Sequence, residues 1–323
     1  MMQSTSETRY QRALDALEGT SVGDAFGEGF FMSLELATRM LPSGLLEDIP
    51  FEFEGTRALQ LLIDLRRTEF IETPWLWTDD TAMALEVVAN LREFGEINPD
   101  ALARGFSRRY LAQPNRGYGG AMFALLPELG RLDWRDESPK LFEGTGSFGN
   151  GAAMRAAPIG AYFADNPERV AQEARKSARV THAHPEGVAG AVAVAMAACF
   201  MARARESGAD VVDLLGEVLP YLPDSEVRLR CEQAQQMGDA TSEQVADVLG
   251  SGQAVTAMDT VPFCLWCAHH EGAYFEEAMW HTVAGLGDRD TTCAIVGGIV
   301  GARVGTDGIP REWREKREAL GKF

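Results

Sequence analysis

The strongest constraint on this chain is the period of its apolar residues, which is helical from end to end. Thr8 to Glu18 places Tyr10, Ala13, Leu14 and Leu17 at three- and four-residue spacing. Thr81 to Phe94 repeats the pattern with Ala84, Leu85, Val88 and Leu91. Pro99 after Asn98 and Pro167 after Asn166 read as a capped start with proline in the first turn, and predict helices to about Tyr110 and Val180. Pro185 opens another through Ala204. Further helical stretches fall at 210–219, 225–237, 242–249, 257–270, 273–284, 291–304 and 310–320. Period-two alternation is nearly absent, and Phe51-Glu52-Phe53 is the one short strand candidate. The expected fold is all-α.

Several helices are rich in small residues, notably Gly187 to Ala198 and Thr291 to Ala302, the latter with Gly297, Gly298 and Gly301. Small side chains let helix backbones approach closely, which suits central helices of a multi-helix bundle. Nothing resembling a Pro/Gly/Ser linker divides residues 1–323, so one domain is expected. The least regular stretch is Phe31 to Pro74, broken by Pro42, Gly44, Pro50 and Gly55, and is read as a lip over a cleft. The apolar run from Gly187 to Ala202 falls short of the ~20 residues of a membrane span and is read as a buried helix.

The balance of charge narrows the partners. With 30 Lys+Arg against 48 Asp+Glu in 323 residues, the net charge is −18. Unmodified nucleic acid and anionic membranes are therefore not expected as partners. Anionic ligands remain accessible through local devices such as backbone amides at helix starts. Five cysteines without regular spacing make no disulfide framework. Together with a polar Met1 to Arg12 that has no secretion-signal character, they point to the cytoplasm.

Two acidic clusters sit at helix starts: Thr78-Asp79-Asp80 before Thr81, and Asp288-Arg289-Asp290-Thr291 before the helix to Val304. Either one alone reads first as a cap and dipole partner, worth about 1 kcal/mol. A cap needs one such side chain, however, and adjacent carboxylates repel unless a cation gathers them. Four aspartates with Thr78 and Thr291 offer the hard oxygen donors that Mg²⁺ prefers.

Two glycine-rich turns precede apolar segments: Arg116-Gly117-Tyr118-Gly119-Gly120 before Ala121 to Leu126, and Gly144 to Gly151 before Ala152 to Ile159. Such turns either serve loops needing positive φ or present amides to a phosphate. Tyr118 and Phe148 are candidates to flank a ring such as adenine. His182 and His184 in Thr181-His182-Ala183-His184-Pro185 stand just before a helix, where a structural role competes with a catalytic one. Cys264 and Cys267 have no second pair, which argues against zinc. Nothing matches a P-loop, a dinucleotide-binding fingerprint or a nucleophile elbow.

Taken together these pieces resemble the ADP-ribosylglycohydrolase family. The resemblance rests on Gly23-Asp24-Ala25-Phe26-Gly27, Trp77-Thr78-Asp79-Asp80-Thr81, Arg116-Gly117-Tyr118-Gly119, Gly149-Asn150-Gly151-Ala152-Ala153-Met154-Arg155, Thr181-His182-Ala183-His184-Pro185 and Gly287-Asp288-Arg289-Asp290-Thr291, in family order over nearly the whole chain. It implies an orthogonal helical bundle around a cleft holding two Mg²⁺ or Mn²⁺ ions. Thr78, Asp79 and Asp80 would bind them from one side, and Asp288, Asp290 and Thr291 from the other. Gly117, Tyr118 and Gly119, with Ser147, Phe148, Gly149, Asn150 and Gly151, would cradle the nucleotide, and His182 would line its diphosphate or ribose region.

The implied reaction is hydrolysis at C1″ of an ADP-ribosyl adduct on a protein or a small molecule. Arginine is the first leaving group expected, and O-linked serine or acetyl adducts the second. A binding-only role against an ADP-ribosylating toxin is the reading from another class. Asp79 or Asp80 would orient the attacking water. The family acid seven residues after the motif aspartate is replaced here by Phe31, and Glu28 is the nearest substitute.

Overall fold

The computed structural model describes residues 2–41, 45, 51–211 and 213–321, and among them every regular element is a helix. The N-terminal helix is far longer than its apolar period indicates, running Met2–Glu28 through Gly19, Gly23 and Gly27. Glycine lowers helix propensity by about 1 kcal/mol, so packing must favour these positions. It does so against the antiparallel helix Arg289–Val304. A Cβ on Gly19 would stand 2.1 Å from the Gly297 carbonyl oxygen, one on Gly23 2.1 Å from that of Cys293, and one on Gly27 2.2 Å from that of Arg289. The two backbones touch along a four-residue repeat, and Asp24 and Asp290 meet at one end of that contact.

Around this pair lie the Ala- and Val-rich helix Pro185–Ser207, the helix Ala257–Glu271 and the short helix Ala157–Tyr162. Pro185–Ser207 is the one helix among the described residues long and apolar enough to cross a membrane, and it is packed inside the protein. The buried apolar side chains form one continuous cluster. Asn98 and Asn166 cap their helices as expected, through Ala101 N and Arg169 N.

Three expectations are corrected. Phe51-Glu52-Phe53 is the start of the helix Phe51–Asp64, not a strand: no partner strand exists among the described residues to pair with it. The stretch from Phe31 to Pro74 holds a second helix, Leu34–Arg39, and Gly55 lies within the first; Pro42, Gly44 and Pro50 lie outside the described residues. The helix expected at 310–320 ends at Lys316, after which the chain pairs with Trp75 through Trp75 N to Lys316 O at 2.7 Å and Glu318 N to Trp75 O at 2.8 Å.

Candidate active site

Asp79 and Asp80 form the first turn of the helix Asp79–Phe94, with Thr78 as N-cap. The exposed donors of that turn are satisfied by other groups. Asp79 N reaches the Arg116 carbonyl at 2.6 Å, Asp80 N donates to Thr78 Oγ1, and Thr81 N donates to Asp24 at 3.0 Å. Asp24, wholly buried on the N-terminal helix, also accepts from Thr78 N at 3.0 and 3.1 Å, from Thr78 Oγ1 at 2.9 Å and from Thr81 Oγ1. Burial pushes its carboxyl up to about 6 despite these donors. Capping is thus done by Thr78 and Asp24, which leaves Asp79 and Asp80 free for another role.

The second cluster faces the first. Asp288 accepts from Asn150 Nδ2 at 2.7 Å, and Asp290 accepts from Thr291 N at 2.8 Å in the first turn of Arg289–Val304. Thr291 Oγ1 and Thr78 Oγ1 stand 3.5 and 3.0 Å from Asp80 Oδ2, while Asp80 Oδ1 is buried without any partner. Burial first, then the charges of Asp24 and Asp288, raise Asp79 to about 8. Burial and mutual repulsion hold Asp80 and Asp290 well above the carboxylate range, and burial raises Asp288.

Among the described residues no three Asp, Glu, His or Cys side chains close on one point as a finished coordination shell. What the two helix starts offer is a set of hard oxygens, with Asp79, Asp288 and Asp290 on the cleft and Asp80 Oδ1 buried without a partner beside it, a donor set that fits a divalent cation.

Both glycine turns open onto the same cleft, of about 350 Å³. Gly117, Gly119, Ser147, Phe148, Gly149, Asn150, Gly151 and His182 line it together with Asp79, Asp288, Asp290 and Thr291. The first turn is anchored by Arg116, which stacks 3.5 Å over the Trp77 ring and pairs with Glu318 at 2.6 Å. Gly149 N donates to Ser147 Oγ at 3.2 Å, and the Phe148 carbonyl accepts from Ala257 N at 2.9 Å. The rim carries Val255 at φ +54, a conformation that strains a β-branched residue.

Four of the candidates do not line the cleft: Thr78, Asp80, Tyr118 and Glu28. Thr78 and Asp80 are buried at the same helix start as Asp79. Tyr118 is buried with its ring 5.0 Å from that of Tyr110, so it does not face Phe148 across a ligand. The rings that accompany Phe148 are those of His184, at 5.4 Å, and of the half-exposed Phe142, at 5.7 Å, the latter marked by no sequence pattern.

Glu28 is the last residue of its helix, half-buried, and its carboxyl is raised by burial and by Asp24 against the pull of Arg289. Phe31, at the position of the family acid, lies under the Arg289 guanidinium at 4.1 Å. Arg155, fully buried beneath the second turn, was likewise unmarked as a functional residue; its only signal was its place in the motif ending Ala153-Met154-Arg155.

The class of an all-α protein with this carboxylate-walled, glycine-lined cleft is given by its relatives. The ADP-ribosylglycohydrolase family profile matches residues 5–322, and the chain belongs to that family. It is 28% identical to the human ADP-ribosylhydrolase ARH3 over 273 residues, covering 75% of this chain and 74% of that protein. It is 25% identical over 323 residues to the ADP-ribosyl-[dinitrogen reductase] glycohydrolase of Rhodospirillum rubrum, covering 97% and 92%. A solved structure described as an ADP-ribosylglycohydrolase-related protein complex shares the fold, with a TM-score of 0.62, 24% identity and coverage of 97% and 94%. The family is one of ADP-ribosyl glycohydrolase enzymes.

Proposed function

We propose that this chain hydrolyses the bond at C1″ of an ADP-ribosyl group with two bound Mg²⁺ or Mn²⁺ ions. The observation that carries the reading is the meeting of Asp79, from a cluster relieved of capping, with Asp288 and Asp290 on the cleft that both glycine turns line. Thr78, Asp79 and Asp80 would hold the ions from one helix start, and Asp288, Asp290 and Thr291 from the other. When bound, the ions would supply Lewis acidity and make water a better nucleophile.

The protein's own groups do the rest. Amides of the turns and His182 hold the diphosphate, and Phe142 and Phe148 offer their faces to the adenine. Asp79 takes the proton of the attacking water, and the anionic wall favours positive charge growing on the sugar. Glu28, its carboxyl raised, is the donor to a leaving group that extends past the cleft lining to reach it.

Arg289 decides between leaving groups. Its guanidinium lies on Phe31 just outside the cleft lining, near Glu28, and its buried Nε has no acceptor. A second guanidinium, that of an arginine adduct, is repelled there, whereas an oxygen leaving group accepts from it. This favours O-linked adducts over arginine. Equal concentrations of ADP-ribosylserine peptide, O-acetyl-ADP-ribose and ADP-ribosylarginine test it by release of ADP-ribose. The O-linked substrates should turn over at least tenfold faster, and an arginine preference would refute the order.

A further inference from the structure

Arg155 lies wholly buried under the cleft, its guanidinium 4.5 Å over the Phe106 ring. Its Nη2 donates to the Ser177 carbonyl at 3.0 Å and to Thr181 Oγ1 at 2.8 Å, and its Nη1 donates to the Gly151 carbonyl at 3.3 Å. A guanidinium has only hydrogens to give, so the direction of the bond to Thr181 is fixed. The hydroxyl of Thr181 keeps one hydrogen, and the other partner in reach is His182 Nδ1, at 2.8 Å. The arrangement that uses this hydrogen has Nδ1 accepting it, and a neutral imidazole whose Nδ1 accepts carries its proton on Nε2.

That Nε2 faces the second glycine turn. A Cβ on Gly149 or on Gly151 would stand 3.3 Å from it, so the two glycines clear its approach to the cleft. Among the described residues no protein acceptor meets Nε2. The ring is fixed from behind as well, because a Cβ on Gly187 would stand 3.2 Å from the His182 Cβ. Burial and the charge of Arg155 oppose a proton on the ring and lower His182 to about 3.

We propose that Thr181, oriented by Arg155, is a positioning residue that locks His182 in its Nε2–H tautomer and so presents a fixed neutral donor to an acceptor oxygen of the bound nucleotide. The same guanidinium holds the Gly151 carbonyl, so one buried cation sets both the donor and the turn beside it. The inference rests on the reading of this cleft as a nucleotide site, but its decisive readout does not depend on turnover.

Full-length protein labelled with ¹⁵N-histidine gives the tautomer directly from long-range ¹H–¹⁵N spectra, with His182 assigned by His182→Asn. The wild type should show one neutral Nε2–H ring, unchanged between about pH 5 and pH 8, where a free histidine titrates. Thr181→Val keeps shape and removes the hydroxyl. It should give a mixture of tautomers and weaken ADP-ribose binding about tenfold, the scale of one hydrogen bond to a charged group. Thr181→Ser should restore both.

A Thr181→Val protein whose His182 remains a single Nε2–H tautomer overturns the proposal. So does an Nδ1–H ring in the wild type. A wild type that shows the lock but binds no ADP-ribose would refute the nucleotide reading instead.

Discussion

A buried carboxylate needs donors or a cation, and the carboxylates of this protein divide on that point. Asp24 has donors from Thr78 and Thr81 on both oxygens, whereas Asp80 Oδ1 has none. Removing a ligand carboxylate should therefore cost the cation without costing the fold. Asp79→Ala and Asp290→Ala should each abolish calorimetric Mg²⁺ binding and the rise in Tm that Mg²⁺ gives the wild type, with helicity unchanged by circular dichroism. Wild-type metal stoichiometry in either variant would contradict the assignment.

Glu28→Gln should keep fold and ADP-ribose binding and lower turnover at least tenfold, since positioned acid–base groups contribute about 10²–10⁴-fold. Unchanged turnover would show that Glu28 is not the proton donor. His182 sets a pH dependence of stability. Its folded value is depressed from 6.5 to about 3, so between those values the unfolded chain binds a proton that the folded chain refuses. Its contribution is fully present above about 6.5 and is lost as pH falls toward 3. In urea titrations the wild type should lose more stability than His182→Asn between pH 7 and pH 4, by at most about 1.4 kcal/mol per pH unit.

At the scale of elements, the glycines separate into two kinds that substitution can tell apart. Gly297 faces the N-terminal helix, and a Cβ there would stand 2.4 Å from the Gly19 carbonyl oxygen. Gly297→Ala should destabilise by about 1–3 kcal/mol, read as a fall in Tm of several degrees. Gly119 has open space within 4 Å and φ −60, so Gly119→Ala should leave Tm unchanged while its methyl group, placed in the cleft, weakens ADP-ribose binding. A destabilised Gly119→Ala would mean that this turn is structural.

The contrast also shows what a sequence makes legible. Capped helices such as Pro99–Ala112 are visible because the cap and the apolar period are local. The true length of Met2–Glu28 is not, because its glycines lower propensity and are justified only by a helix more than 260 residues away in sequence. The same holds in the site. Adjacent carboxylates were visible as clusters, whereas the capping by Asp24, the Phe142 ring and the reach of Arg155 to Thr181 exist only once distant segments meet. Tyr118 was placed at the cleft by its neighbours in the turn, and the fold turned its side chain inward.

On the scale of the whole molecule, the antiparallel pair Met2–Glu28 and Arg289–Val304 carries Asp24 and Asp290 together, and the start of Asp79–Phe94 docks on Asp24. Segments near residues 79, 119, 150, 182 and 288 then enclose one cleft, in which the anionic wall meets the amide-rich turns. Such a division suits a substrate that carries a diphosphate at one end and develops positive charge at the other.

The central claim is cation-dependent cleavage of the bond at C1″, and its most direct test follows oxygen. ADP-ribosylserine peptide is incubated with the protein in H₂¹⁸O, with Mg²⁺ or with EDTA, and the products are weighed by mass spectrometry. Free ADP-ribose carrying ¹⁸O and unlabelled serine peptide are expected with Mg²⁺, and no release with EDTA. Release that EDTA leaves unchanged, or ¹⁸O in the peptide, would contradict it.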